Sequence, residues 1–439
     1  MRLVLFTPAI KTSAIGRMAS LVTRALTSMG HAVVVVRTEN TSLIQTPAHD
    51  FGTDLVRWTQ SGEIKDLVYS ADVVIYQVGN NFAYHQGCLE WLPRAPGIVC
   101  LHDFFLGDLF YGWAQDHMEE ALATLQAWYG SKVVHNYFGH SSSENFIELT
   151  KDAAPMTEWI GSMAYGAITH SSWGIQRVLD SCPGPVQVVP LAYDAPTPMS
   201  TAKDTTDPAR QTGGFYVLTI GHINPNKRVE SVIRAIADSS ILREITTYRL
   251  VGKILPDAVE RLSVLAKKLQ VNLIISDEVD SETLLQAINE ADAICCMRWP
   301  SLEAASASAI EAMLYGKPVI VTDTGFYAEL PNTCVRKIHP QNEIPDLQQA
   351  LERLYENEGE RLALGAEAMK WASATFTAEN YANRLIDVSL AAQQAAPMIK
   401  AVHFLTGLQQ QWGASDGLMI LSDTLAPLRL FDSGHETPR

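Results

Sequence analysis

Short apolar runs alternate along this chain with longer segments whose apolar side chains recur every three to four positions. The first half offers strands at Leu3–Phe6, Ala32–Val36, Val73–Gln77, Ile98–Leu101, Ala167–His170 and Val186–Pro190. Between the first two lies Arg17–Met29, where Met18, Leu21, Val22, Ala25 and Leu26 fall on one helical face. Strand, helix and strand in that order form a βαβ unit, which predicts a parallel sheet with right-handed crossovers. The pattern stops at Ala195–Gly214, a Pro-, Thr-, Asp- and Gly-rich stretch without apolar period, which reads as a linker.

Alternation then restarts. Strands are predicted at Tyr216–Ile220, Tyr248–Val251, Asn272–Ile275, Asp292–Met297 and Pro318–Thr322. Helices are predicted around Val229–Ala237, Asp257–Leu269, Ser281–Asn289 and Ser308–Tyr315. From Asp346 onward the pattern is helical. The expected class is α/β, with two Rossmann-like, doubly wound parallel-sheet domains facing across a cleft. The first spans 1–194, the linker 195–214 and the second 215–377; a helix at 378–392 and a tail at 393–439 follow.

Length and composition agree with two cores. A chain of 439 residues, 47% hydrophobic and 18% charged, is too long for one ordinary core and too apolar to be disordered. With 33 basic against 48 acidic residues the formal charge is −15, which argues against general nucleic-acid binding but permits a local basic site. The six cysteines form no CxxC pair and several sit in apolar runs, so buried, reduced thiols in a cytoplasmic protein are expected. The N-terminal MRLVLFTPAI reads as a first strand and not as a signal peptide, and no run approaches a membrane span. Contact with the inner face of a membrane remains open.

Three segments carry candidate chemistry. In "VLTIGHINPNKRVESVIRAIA" a strand ends at Gly221, and His222, Lys227 and Arg228 precede a helix. A loop of that kind can hold a diphosphate through charge-assisted hydrogen bonds, or can merely carry two solvated cations. In "RWPSLEAASASAIEAMLYGKPVIVTDTG", Glu303 and Glu311 flank a run of small residues that includes Ser306 and Ala307. Small residues admit a ligand to the backbone, amides at a helix start can receive an oxyanion, and carboxylates can accept from sugar hydroxyls. Taken alone, the pair reads more readily as structural, with Glu311 in a structural bond and Glu303 exposed; the small loop, the helix and the strand that follows give the pattern its weight. In the first half, "PGIVCLHDFFL" places His102 and Asp103 at the end of a strand. "YQVGNNFAYH" supplies Asn80 and Asn81 at the same edge, and Gly16 could let phosphates approach the first loop. No GxGxxG follows the first strand, which disfavours a nicotinamide cofactor.

These segments, with "GHAVVVV", resemble the family 4 glycosyltransferases of the GT-B fold over roughly residues 1–390, most specifically from Arg298 to Pro331. The resemblance implies retaining transfer of a hexose from a GDP- or UDP-linked donor, without a metal or other cofactor. Its acceptor would be a hydroxyl on a glycan or glycolipid of the cell surface. By position, Lys227 is similar to the family's diphosphate-binding lysine, Glu303 to the carboxylate beside the donor sugar, and Glu311 to the ribose ligand. His102 resembles the first-domain histidine near the reacting sugar; together with Lys227 and Glu303 it forms the expected catalytic set. The amides near Ser306 and Ala307 would face the phosphates, and the loop at Glu278–Val279 the base. Asn80, Asn81 and Asp103 are expected on the acceptor side. Two departures stand out: His222 occupies a position where many relatives have arginine, a charge Arg228 would replace, and Ser306 replaces a glycine. An epimerase or hydrolase of the same fold, or a sugar-nucleotide-binding protein without catalysis, is the alternative.

Overall fold

Strands covered by helices on both faces bury both sets of side chains, so they read as continuous apolar runs. In the computed structural model, which describes residues 1–194 and 213–411, β1 (Arg2–Thr7) is buried at every position after Arg2. β2 (Ala32–Arg37), β3 (Leu55–Arg57), β4 (Val73–Val78), β5 (Ile98–Leu101), β6 (Gly166–Thr169) and β7 (Val186–Val188) complete a seven-stranded sheet in the order β3-β2-β1-β4-β5-β6-β7. All its pairings are parallel, with Leu3 opposite both Val33 and Val73.

The second sheet contains β8 (Phe215–Ile220), β9 (Thr246–Val251), β10 (Asn272–Ser276), β11 (Ala293–Cys296), β12 (Val319–Thr322) and β13 (Val335–Ile338). Its order is β10-β9-β8-β11-β12-β13, again wholly parallel. Each order reverses direction once, between β1 and β4 in the first sheet and between β8 and β11 in the second. Ligands of open parallel sheets bind at such switch points, outside the carboxyl ends of the strands.

The helix Ala14–Ser28 starts where Ser13 accepts from the Gly16 amide, an N-cap typically worth ~1 kcal/mol. It buries Met18, Val22 and Leu26 against the first sheet. The last described helix, Ala378–Gln411, packs on that same helix and on β5 and β6. It therefore returns the chain to the first sheet. Tyr381, Leu385 and Val388 from this helix join one apolar cluster with residues of both sheets.

Several elements exceed the sequence reading. β3 and β13 are short strands at sheet edges, without the long apolar runs of the central strands. Between β5 and β6 the chain forms a set of helices from Gly107 to Ser162, packed around Phe110, Tyr137, Phe146 and Trp159. The final helix runs to Gln411 and not to 392, so the first part of the expected tail is its continuation. Residues 195–212 of the expected linker and 412–439 of the tail lie outside the described residues. All six cysteines are free and buried, as their apolar surroundings predict.

One glycine sets the floor of the second switch point. Gly252 has φ +134°, and a Cβ there would lie 2.5 Å from the carbonyl oxygen of Gly221. Gly252→Ala is expected to cost about 1–3 kcal/mol through strain and overpacking. Urea unfolding measures this; a variant as stable as the parent would contradict the close approach.

Candidate functional site

The carboxyl end of β8 turns sharply at Gly221, whose φ is +90°. A 3-10 turn, Pro225–Lys227, follows; the Asn224 side chain accepts from the Lys227 amide and sets its start. This folds Lys227 back beneath the strand end. Its side chain is buried, and Nζ donates to the carbonyl oxygen of Ile220. The positive φ of Gly221 favours glycine, and a Cβ there would come within 2.9 Å of that nitrogen and displace the ammonium. Burial, helped by the charge of Arg298, lowers the Lys227 pKa to about 7. Among the described residues no carboxylate pairs with it.

Arg298 follows β11 on the other side of the switch point. It is buried, its Nε lies 3.3 and 3.4 Å from the two Glu303 oxygens, and Nη1 donates to the Met297 carbonyl at 3.1 Å. Arg298, Ser301, Leu302, Glu303, Ala305, Ser306, Phe326 and Tyr327 line a small cavity. Ser306 closes one side as the N-cap of the helix Ala307–Leu314, accepting from the Ala309 amide at 3.4 Å. The remaining free amides of that first turn supply the positive end of a helix dipole.

Glu303 reaches the first domain through the backbone. The Ala304 amide donates to the His102 carbonyl at 2.8 Å, and the Phe104 amide to the Leu302 carbonyl at 2.9 Å. Asp103 and Glu303 pair between these bonds as an antiparallel bridge. Thus a short ladder across the cleft brings His102, Asp103 and Glu303 together. Burial, reinforced by the Glu303 charge, raises the Asp103 carboxyl to about 7. His102 lies with its ring centroid 4.7 Å from that of His170, and burial followed by the charges of His170 and His85 holds its pKa well below the ordinary value.

The other glutamate meets an unexpected cation. Glu311 accepts from Arg17 Nη1 at 3.3 Å, while Arg17 also donates to Tyr193 at 3.0 Å and to Asp194 at 2.9 Å. Glu329 adds a second link between the halves by accepting from Ser172 and Trp173. Arg17 and Arg298 were both missed in the sequence. A cation in the first turn of a helix opposes the dipole, and one directly after an apolar strand sits at a ligand edge; either signal could have found them.

Three expected contacts need correction. Gly16 gives its amide to Ser13, and its missing side chain makes room for the Pro8 carbonyl, 2.4 Å from where a Cβ would stand. It therefore serves helix start and packing, and its amide is already taken. Arg228 is bound by Glu343, with Nε 3.0 and 3.1 Å from the carboxylate oxygens, so Arg298 and not Arg228 stands beside Lys227. Asn80 caps the helix Gly107–Ala114: its Oδ1 accepts from the Asp108 and Leu109 amides at 2.8 and 3.0 Å. Asn81 is exposed and its side chain makes no hydrogen bond among the described residues. His222 is exposed next to Lys227 and Lys253, and Val279 is partly buried against the apolar core. Among the described residues no group of three His, Cys, Asp or Glu side chains is disposed to hold a metal ion.

Two Rossmann-like sheets with facing switch points define the GT-B class, and known proteins share it. Residues 201–371 match the family Glycosyl transferases group 1, and the stretch bearing the second sheet belongs to that family. HepE of Anabaena, solved with UDP and glucose, superposes with a TM-score of 0.59 at 16% identity, covering 88% of this chain and 98% of that one. Sucrose-phosphate synthase of Thermosynechococcus elongatus gives 0.62 at 15% identity over 88% and 98%. WaaG, a glycosyltransferase involved in lipopolysaccharide biosynthesis, gives 0.52 at 17% identity over 91% and 99%. At these identities the likeness establishes the fold. A search of curated proteins finds no match.

The facing carboxylates make the cleft pH-sensitive. Asp103, raised from 3.8 to about 7, favours the folded state below pH 4, and that contribution is lost as pH rises through 7. Asp103→Asn keeps an acceptor for the Asn80 amide and removes the charge. The variant should melt above the parent at pH 8, with the gap narrowing as pH falls and closing toward pH 4; equal melting at pH 8 and pH 4 would contradict the raised Asp103 pKa.

Proposed function

We propose that this chain is a retaining, metal-independent glycosyltransferase that moves a hexose from a UDP- or GDP-linked donor to a hydroxyl of a glycan or glycolipid. The carrying observation is Lys227: a buried ammonium at the β8–β11 switch point, with only a backbone carbonyl for partner. Burying such a charge is costly until an anion arrives. Arg298 and the first turn of the Ala307–Leu314 helix stand around the same end of the sheet. A nucleoside diphosphate fits that set in charge, and HepE, which shares the fold, was solved with UDP, glucose and UDP-glucose.

In this reading the diphosphate meets Lys227, Arg298 and the amides beyond Ser306. Glu311, nearly buried, exchanges Arg17 for the ribose hydroxyls, and that exchange links donor binding to the first domain. Glu303 and His102, on adjoining rungs of the ladder across the cleft, flank the sugar. Departure of the nucleotide develops negative charge where the cations already stand, so catalysis is chiefly electrostatic preorganisation. The acceptor hydroxyl enters from the first-domain side and attacks on the face the diphosphate leaves, giving its proton to a leaving phosphate oxygen. Val279 lies on the loop assigned to the base. The catalytic set remains Lys227, Glu303 and His102, and Asp103 is the acceptor-side group that faces them.

Lys227 gives donor binding a defined pH dependence. With its pKa at about 7 in the free protein, the anion must bind the protonated form and raise that pKa. The affinity for a UDP-sugar, whose diphosphate does not titrate in this range, should be flat below pH 6 by calorimetry and fall above pH 7, by up to tenfold per pH unit. Lys227→Ala should remove this slope and cut transfer by roughly 100-fold or more. Normal transfer by that variant would overturn the assignment.

EDTA should leave the rate unchanged, and a strict Mg²⁺ or Mn²⁺ requirement would sink the metal-independent mechanism. Donor incubated without acceptor should be lost only slowly. Rapid hydrolysis or epimerisation would favour those activities instead.

A further inference from the structure

Gln77 is a buried polar residue within β4, a strand whose residues are all buried. A glutamine there is costly unless its amide is used. Its Oε1 lies 2.7 Å from Nε2 of His102. That spacing suits an N–H···O hydrogen bond; turning the amide round would leave two nitrogens at a separation too short for N–H···N. With the carbonyl end facing the ring, as the structure places it, Nε2 is the ring nitrogen that carries the proton.

A neutral imidazole has one ring proton, and its low pKa keeps His102 neutral. With Nε2 protonated, Nδ1 is a bare lone pair, and it has no hydrogen-bond partner among the described residues. The surrounding groups preserve this state. His170 is fixed through its Nδ1, 3.0 Å from the Val189 carbonyl, and its ring lies against that of His102. The nitrogen end of the Gln77 amide is buried without a hydrogen-bond partner, as is the Tyr381 hydroxyl of the final helix that lies beside it with the Cys100 thiol of β5. Strand, neighbouring strand and returning helix thus enclose one amide whose single hydrogen bond goes to one histidine.

We propose that Gln77 is a positioning residue that fixes His102 as its Nε2–H tautomer, so that Nδ1 meets the substrate only as an acceptor of a hydroxyl hydrogen bond. The role of that acceptor rests on the glycosyl-transfer reading; the tautomer does not. In the opposite tautomer the same ring would present a donor to the cleft and would suit an oxyanion instead of a hydroxyl.

The test is spectroscopic first. Protein labelled with ¹⁵N-histidine is examined by long-range ¹H–¹⁵N correlation between pH 6 and 8, with His102 assigned by its disappearance in His102→Asn. The parent should show the Nε2–H pattern throughout. An Nδ1–H pattern or an imidazolium would overturn the proposal, and this result needs no variant of Gln77. Gln77→Met, similar in size but unable to accept, should lose the single tautomer and lower kcat by roughly tenfold. A variant that keeps both a pure Nε2–H signal and the parental kcat would also overturn it. A parent with the expected tautomer but no transfer to any acceptor would defeat the functional reading and leave the Gln77 assignment standing. Transfer by a parent in the Nδ1–H form would do the reverse.

Discussion

A positive charge held out of water without a counter-charge is the constraint around which the second domain is arranged. Gly221 leaves open space beside the Lys227 ammonium, Gly252 packs against the Gly221 carbonyl, and Asn224 starts the turn that folds the lysine inward. The depressed pKa is the consequence. A folded protein ordinarily avoids such an arrangement, so its presence at the switch point of a parallel sheet is where chemistry departs from packing. Arg298 differs, because Glu303 offsets its charge. Together they leave the strand end electropositive within a chain whose net charge is −15.

The two halves meet through groups that also belong to the site. The ladder between His102–Phe104 and Leu302–Ala304 is made of backbone bonds, so it fixes position without depending on side-chain identity. The ion pair of Arg17 with Glu311 is a different kind of link, since ribose hydroxyls could compete for the same carboxylate. Asp103 and Glu303 repel each other beside the ladder once Asp103 is charged. Attraction at one edge and repulsion at another therefore act on the same contact between the halves. Helix Ala378–Gln411 bears on the same geometry, because it packs against β5 and β6 and sets Tyr381 beside the amide that faces His102.

Much of the fold was legible because burial on both faces leaves a simple mark. β1, β2, β4 and β8 are largely apolar runs, and Met18, Val22 and Leu26 repeat at helical spacing. Edge strands such as β3 carry no such mark. Neither did the helices between Gly107 and Ser162 signal their number, since their aromatic packing is among themselves. Lys227, Glu303 and Glu311 were singled out from residue type and surroundings, and the family resemblance gave them their expected roles. Gly16, Arg228 and Asn80 were chosen by the same reasoning, yet their hydrogen bonds or packing go to Ser13 and Pro8, to Glu343 and to Asp108 respectively.

By itself the sequence determined which residues lie at the carboxyl ends of strands, because periodicity fixes the strands and the loops follow. Only the tertiary structure decided which of those residues share partners. Arg17 meets Glu311, Gln77 meets His102 and Asp103 faces Glu303 across separations in sequence that no local pattern encodes. Hydrogen bonds and charges act over a few ångströms, whereas the order of strands in two sheets, and the contact between those sheets, brings distant segments within that range.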